Sequence, residues 1–156
     1  MKDRANGDPV APTDRRQAIG RGAERAVGHH LTRRGWRILS RNWRIGAGEI
    51  DLVCLSGRTI VFVEVKALRS GGRAGPGRPV LAVGPRKQER LVRLGEAWLA
   101  GPGRAQAGRW DEVRFDVIGI EYGADGPGAA LEHVVDAFRP EDLPVRRPGQ
   151  RRRGLR

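Results

Sequence analysis

Residues 48–66 read GEIDLVCLSGRTIVFVEVK, two apolar segments separated by a turn signal at Ser56-Gly57. Valine, isoleucine and phenylalanine favour strands, and the segments from Glu49 to Leu55 and from Thr59 to Lys66 are apolar on both faces near the turn. Such segments are typical of central strands that are covered on both sides. We therefore predict an antiparallel hairpin in the interior of a sheet.

The charged residues of this hairpin lie at the end remote from the turn. A two-residue turn at Ser56-Gly57 would place Glu49 opposite Glu64. Because side chains alternate with a period of two, Asp51 and Lys66 would share that face. The hairpin therefore predicts that two or three carboxylates and one ammonium group converge in an otherwise apolar sheet.

Such a cluster is unfavourable without compensation. Buried carboxylates at close range repel each other and lose hydration. A bound Mg²⁺ or Mn²⁺ would offset both costs, because carboxylate oxygens suit hard divalent cations. On this pattern the alternative is an internal salt bridge of Lys66 with Asp51 or Glu64.

Two predicted helices carry further charges towards the hairpin. The first runs from Asp14, as the N-cap, to about Arg34 with Gly35 as its stop, and Glu24 borders its apolar stripe. Glu24 is interpreted as a further carboxylate of the cluster or, alternatively, as a solvated acid. The second helix runs from Pro85 to about Ala100.

Lysine usage singles out two positions. The only lysines are Lys2, Lys66 and Lys87, whereas every other basic residue is arginine. Lys87 lies on the packed stripe of the second helix, four residues before Leu91. We interpret Lys66 and Lys87 as compact ammonium groups that contact a nucleophilic water or a phosphate. The alternative is that two lysines remain in the core by chance.

Three further strands complete the predicted fold. They are Trp36 to Trp43 before the hairpin, Val113 to Glu121 after the second helix, and Leu131 to Phe138 at an edge. The order of helix, three-strand meander, helix, strand and edge strand predicts an α/β domain in which helices flank the sheet. The Gly- and Pro-rich stretch at 70–79 is predicted to be a mobile loop.

Composition limits the domain organisation. The 156 residues fit one domain at 14–139, with residues 1–13 and 140–156 predicted to be disordered. The single cysteine excludes an intrachain disulfide and favours the reducing cytoplasm. Neither a signal peptide nor an apolar run of about 18 residues is present, so no membrane is expected.

Charge favours a polyanionic partner. The net charge is +12, and charge of this size favours nucleic acid through phosphate contacts. About half of it lies in the arginine-rich tail at 145–156. This tail is alternatively interpreted as an aid to solubility or as a tether to an acidic protein partner. The Gly-rich segments lack the spacing of a Walker loop or a dinucleotide fingerprint.

Six short strings, in order, resemble the YraN-like family of small bacterial proteins, which is itself similar to the Holliday-junction-resolvase branch of the PD-(D/E)XK nucleases. The strings are GRGAERA (20–26), RNWR (41–44), GEID (48–51), VFVEVK (61–66), PRK (85–87) and RFDV (114–117). The resemblance covers about residues 18–121 and implies a restriction-endonuclease-like core with a mixed sheet. It also implies that Asp51 is the motif aspartate and that Glu64 and Lys66 form the E-x-K element. Ile50-Asp51 replaces the Pro-Asp of the superfamily name.

Together these observations predict a metal-dependent endonuclease that hydrolyses DNA phosphodiesters in recombination or repair. The expected catalytic residues are Asp51, Glu64, Lys66 and Glu24. Of these, Asp51, Glu64 and Glu24 are the expected ligands of Mg²⁺ or Mn²⁺. The expected supporting or phosphate-binding residues are Glu49, Lys87, Gln88, Arg44 and Arg114. The main alternative is a catalytically inactive nucleic-acid-binding module on the same scaffold. A homodimer is expected by analogy only.

Arg114 and Asp116 share a strand face and are interpreted as a brace for the site or as a structural ion pair.

Overall fold

A computed structural model of the chain describes residues 12–46, 48–69, 79–122 and 130–142. The elements, in chain order, are helix α1 (Pro12–Arg33), strands β1 (Arg37–Ile45), β2 (Gly48–Ser56) and β3 (Thr59–Arg69), helices α2 (Pro85–Ala100) and α3 (Gly103–Gln106), and strands β4 (Glu112–Tyr122) and β5 (Leu131–Phe138). Short 3₁₀ turns at Pro79–Ala82 and Pro140–Asp142 complete the described part of the chain.

The five strands form one sheet in the order β1-β2-β3-β4-β5. Neighbouring strands are antiparallel except β3 and β4, which run parallel along their whole length. The parallel pair requires a crossover, and α2 lies in the connection between the two strands. The predicted α/β class, with a meander, a mixed sheet and flanking helices, is confirmed.

Helix α1 confirms one of its two predicted boundaries. Gly35 has φ +83°, its amide donates to Thr32 O at 3.0 Å, and the Trp36 amide donates to Leu31 O at 3.1 Å. These two bonds form a Schellman C-cap, which favours glycine. The prediction of Asp14 as N-cap is wrong, because the helix begins at Pro12 and Asp14 lies in its first turn. A carboxylate there interacts favourably with the helix dipole.

Most of the predicted terminal and loop segments lie outside the described residues. These segments are 1–13, 70–79 and 140–156. Within them, the structure describes only the first two residues of α1, the start of one 3₁₀ turn and the whole of the other.

Apolar side chains pack on both faces of the sheet. The α2 face holds Leu91, Leu94 and Trp98, and the burial of this predicted stripe is confirmed. Phe62 contacts Trp98 edge-on and stacks on Phe115. The α1 face holds the cluster of Ala23, Val27, Leu31, Leu52, Cys54, Val61 and Val63. The central strands are therefore covered on both sides, as predicted for the hairpin.

The predicted register of the hairpin is wrong by two residues. Ser56 pairs with Thr59, so the central turn residues are Gly57 and Arg58 rather than Ser56 and Gly57. Gly57 has φ +61°, and a two-residue turn that begins with positive φ favours glycine in its first central position. A shift of two residues preserves the faces of the side chains but moves the opposed pairs.

One consequence of this register concerns Glu49. It does not lie opposite Glu64, as predicted, because regular pairing of β2 with β3 ends at Leu52 and Val63. Glu49 instead pairs with Arg44 on β1. The third carboxylate expected from the hairpin is therefore directed to a different neighbour.

Candidate active site

The candidate site lies where β2 and β3 separate, and Asp51 is the residue at which they do so. Ile50 packs in the α2-side core and Leu52 in the α1-side core, so the alternation of side chains breaks between them. The Val65 amide donates to Asp51 Oδ2 at 2.7 Å. A side-chain oxygen thus accepts a strand N–H beyond the last paired residues, and this bond fixes the carboxylate between the strands.

Glu64 is the most deeply buried acid of the site, with 3% of the residue exposed. Its Oε1 accepts hydrogen bonds from Lys66 Nζ at 2.8 Å and from Lys87 Nζ at 3.2 Å. Its Oε2 is buried and has no hydrogen-bond partner among the described residues. A buried carboxylate oxygen without a partner is costly, so this atom is the clearest sign of an incomplete site.

The two lysines border the open side of the cluster. The side chains of Lys66 and Lys87 are 27% and 33% exposed, respectively. Because both ammonium groups reach solvent and also bond a buried carboxylate, an anion arriving from outside can contact them. The bond of Lys66 to Glu64 is the internal salt bridge that the sequence left open as the alternative, and the contact of either lysine with a water or a phosphate stays a prediction.

The pKa of Asp51 reports the electrostatics of the cluster. Burial is the main cause that raises it from 3.8 to about 7, and repulsion from Glu64 is the second. Glu24 also raises this pKa, whereas the Val65 hydrogen bond and Lys87 lower it. Near neutral pH, Asp51 therefore exchanges readily between its protonated and charged forms. Glu24, Glu64 and Lys87 therefore lie within electrostatic range of Asp51.

Glu24 reaches the edge of the cluster from α1. Its Oε2 accepts a hydrogen bond from Asn42 Nδ2 at 2.6 Å. Asn42 has φ +45°, a conformation that asparagine tolerates better than most residues. Glu24 and Asn42 line a cleft of about 570 Å³ together with Arg44 and Glu49. Sequence reasoning missed Asn42, although its residue type inside a strand was an available signal.

Two of the predicted supporting residues, Arg44 and Glu49, lie together beside the cluster. They form an ion pair of 2.7 Å on the hairpin of β1 and β2. Both also line a second cleft, of about 360 Å³, with Lys87 and Arg90. Gln88 donates through Nε2 to Val83 O at 2.8 Å, and this bond ties the first turn of α2 to the residues before it.

Arg114 is not brought to the cluster. Its Nε bonds Asp116 Oδ1 at 3.0 Å, and its guanidinium lies over the ring of Trp36. Trp36 packs against the α1-side core. Asp116 also bonds His133 Nε2 at 2.8 Å and the Asp136 amide at 2.9 Å. Of the two interpretations of Arg114, the structural ion pair is the one this geometry favours.

The site offers few carboxylate ligands for a divalent cation. Within the described part of the chain, no three or more His, Cys, Asp or Glu side chains are grouped so that they could hold a metal ion. Mg²⁺ is nevertheless commonly bound by one or two carboxylates, with waters and substrate phosphates as the remaining ligands. Asp51 and Glu64 meet this smaller requirement, and the unpartnered Oε2 of Glu64 supplies a free ligand atom.

A family model described as uncharacterised protein family UPF0102 matches residues 23–120. The chain is 40% identical over 131 residues to a UPF0102 protein of Anaeromyxobacter dehalogenans, an alignment that covers 84% of this chain and 91% of that relative. It is 43% identical over 121 residues to a UPF0102 protein of Rhodococcus jostii, with 78% and 96% covered. A UPF0102 protein of Mycobacterium avium is 47% identical over 96 residues, with 60% and 70% covered. The matched region contains every residue of the candidate site.

No helix in the described part of the chain combines the length and the apolar composition that a membrane crossing requires.

Proposed function

This chain belongs to the uncharacterised protein family UPF0102, and we propose that it is a nucleic-acid-binding protein that hydrolyses phosphodiester bonds with Mg²⁺ or Mn²⁺ at Asp51 and Glu64. One observation carries the proposal. Two buried carboxylates, one with an unpartnered oxygen, lie beside two partly exposed lysines at the point where two strands diverge. Carboxylates for a hard cation next to ammonium groups for a phosphate are the groups that phosphodiester hydrolysis requires.

In this proposal Asp51 and Glu64 hold the cation. A divalent metal ion bound there would polarise a phosphoryl oxygen and lower the pKa of a bound water. Asp51 must be deprotonated to act as a ligand, and its pKa near 7 makes that form accessible at neutral pH. The Val65 amide orients the same carboxylate through Oδ2, so it does not need to reorganise.

The lysines act on the substrate. Lys66 Nζ lies 2.8 Å from Glu64 Oε1, which positions its ammonium group to orient a water or to stabilise negative charge on the phosphate. Lys87 Nζ bonds the same oxygen from α2 at 3.2 Å. Because it also lines the cleft with Arg44 and Arg90, we assign Lys87 to binding the phosphate that enters from that side.

The test is a cleavage assay on the full-length protein. Linear and branched DNA are incubated with Mg²⁺ or Mn²⁺, or with a chelator, and the Asp51→Asn and Lys66→Ala variants are compared with wild type. Each variant is expected to slow metal-dependent cleavage by at least about a hundredfold, since each removes a group that stabilises the reacting centre.

Asp111→Asn is the matched control. Asp111 is exposed and pairs with Arg58, so its loss should leave the cleavage rate unchanged. Circular dichroism of every variant excludes unfolding as the cause of a loss. Cleavage that survives Asp51→Asn, or that needs no metal, would contradict the proposal.

A second candidate is a non-catalytic nucleic-acid-binding module on the same scaffold. The observation that favours it is that Lys66 and Lys87 both bond Glu64 Oε1 and so already compensate its charge. Binding of DNA with a steep salt dependence, without cleavage under any metal condition, would support this candidate.

We further propose that the nucleic acid is DNA, that the protein acts in the cytoplasm and that it assembles as a homodimer. The dimer rests on the analogy with enzymes that cut two strands.

A further inference from the structure

The tip of the β1–β2 hairpin carries an exposed apolar residue next to cations. Strands β1 and β2 pair as far as Ile45 and Gly48, and Ile45 is 52% exposed. A single exposed apolar residue is common and needs no explanation in itself. Ile45 differs in its surroundings, because it lines a cleft of about 300 Å³ with Arg90 and Arg93 of α2.

The two arginines are available to a ligand. Arg90 and Arg93 are exposed, and in the described ranges neither guanidinium has an ion-pair partner. They are three residues apart on α2, so their side chains emerge on the same side of the helix. An apolar surface beside two exposed cations is complementary to a ligand that has both an apolar face and a negative charge.

The cleft at the tip connects to the candidate active site. Arg90 and Gly48 line both this cleft and the neighbouring one that contains Lys87. Lys87 in turn bonds Glu64. A continuous series of cationic side chains therefore leads from the hairpin tip to the buried carboxylates, as a phosphate backbone would require.

Two contacts hold the hairpin beside α2. A Cβ on Gly48 would lie 2.9 Å from Leu94 Cδ1, so the hairpin backbone lies against the Leu94 side chain of α2. The ion pair of Arg44 with Glu49 joins the two strands next to the tip. The contact with Leu94 and the ion pair both favour a position of Ile45 beside α2.

We infer that Ile45, Arg90 and Arg93 form a binding site for an unpaired nucleotide, so that the preferred substrate is nucleic acid with a single-stranded segment beside a duplex. Bases in an intact duplex are stacked, and their faces are hidden. An unpaired nucleotide exposes its base to the Ile45 side chain while its phosphate contacts the arginines. This inference rests on the proposed function, because it names the substrate of the same site.

The experiment measures binding rather than cleavage. The full-length protein is titrated, in a chelating buffer that prevents hydrolysis, into a fluorescent blunt duplex and into the same duplex with a single-stranded extension. Wild type is expected to bind the extended duplex about fivefold more tightly, the ratio that corresponds to partial burial of an aliphatic side chain.

Three variants decide the result. Ile45→Ser should remove most of the preference, whereas Ile45→Leu should keep it. Val135→Ser is the matched control, because Val135 is equally exposed, at 53%, and lies on β5 at the other edge of the sheet. It should leave the preference unchanged.

The outcomes separate this inference from the proposed function. Equal binding of the two DNAs by wild type, or a preference that survives Ile45→Ser, would overturn the inference and leave hydrolysis intact. A preference lost only in Ile45→Ser supports the inference even if the cleavage assay is negative. Absence of binding to either DNA would overturn the inference, while the cleavage assay in the presence of metal still decides the proposed function.

Discussion

Asp51 and Glu64 owe their properties to burial beside each other. Both residues are buried, and burial together with repulsion from Glu64 raises the pKa of Asp51. The ammonium groups of Lys66 and Lys87 both bond the same oxygen of Glu64. The negative charge on the other oxygen and on Asp51 is therefore less well neutralised. A charge arrangement of this kind destabilises the folded protein and is therefore expected to have a function.

The raised pKa of Asp51 predicts a pH-dependent effect of Asp51→Asn. Its pKa is about 7 in the folded chain, against an ordinary value of 3.8, so the folded state favours the protonated form. The stability that the folded chain has with Asp51 protonated is fully present below the ordinary pKa and is lost as the pH rises through about 7. The loss is on the order of 2–4 kcal/mol in the free energy of unfolding.

Asparagine carries no charge at any pH and retains an oxygen for the Val65 amide. Asp51→Asn should therefore stabilise the protein more at about pH 8 than at about pH 5, as measured by urea denaturation. Asp111→Asn should instead have a small destabilising effect of equal size at both pH values, because Arg58 lowers the pKa of the exposed Asp111 and the carboxylate is charged at pH 5 and at pH 8. An equal effect of Asp51→Asn at both pH values would disprove the raised pKa.

At the scale of elements, the position of α2 depends on close packing against two aromatic rings. A Cβ at Gly95 would lie 2.9 Å from Phe62 Cε2 and 3.2 Å from Phe115 Cζ. Both rings are buried and stacked on each other, so they have little room to move. The helix can approach the sheet, and bring Lys87 to Glu64, because this residue lacks a side chain.

This packing predicts opposite effects of the same substitution in two helices. Gly95→Ala should lower the free energy of unfolding by about 1–2 kcal/mol through overpacking. Gly20→Ala in α1 should raise it by about 0.5–1 kcal/mol, because alanine favours helix and a Cβ there contacts nothing within 4 Å. Chemical denaturation of both variants is the measurement, and a gain in both would refute the close contact at Gly95.

The elements also show which features can be predicted from sequence. The bounds of α2 and β5 agree with prediction. The first-turn proline and the apolar stripe of α2, and the alternation of side chains in β5, are local signals that depend only on neighbouring residues. The hairpin register was wrong, since it depends on which residue takes positive φ in the turn. The break in alternation at Asp51 was also missed. It results from a side chain that replaces the backbone as acceptor for Val65, and no strand pattern encodes that exchange.

At the scale of the whole molecule, an acidic site lies within a basic protein. The chain has a net charge of +12, yet Asp51 lies at the end of the hairpin within electrostatic range of Glu64 and of Glu24. Attraction of a polyanion by the surrounding arginines and lysines would bring phosphates to these carboxylates despite their charge, with a cation between the two. Net charge and the E-x-K pattern were both evident in the sequence.

The pairing of β3 with β4 determines which role Arg114 has. The parallel alignment of β3 with β4 places Asp116 beside Val63 and therefore directs it to the face opposite Glu64. There it binds Arg114 and His133. The interpretation of Arg114 as a support of the site depended on this alignment, and local spacing contains no information about it.

The most direct test of metal binding by Asp51 and Glu64 is a crystal structure of the full-length protein soaked in Mn²⁺ above neutral pH, with anomalous diffraction to locate the ion. We predict an anomalous peak in contact with an oxygen of Asp51 and with Oε2 of Glu64, and no such peak in crystals of Asp51→Asn. Crystals without a peak between these carboxylates, in which Lys66 and Lys87 remain the only cations bonded to Glu64, would contradict a metal-dependent active site.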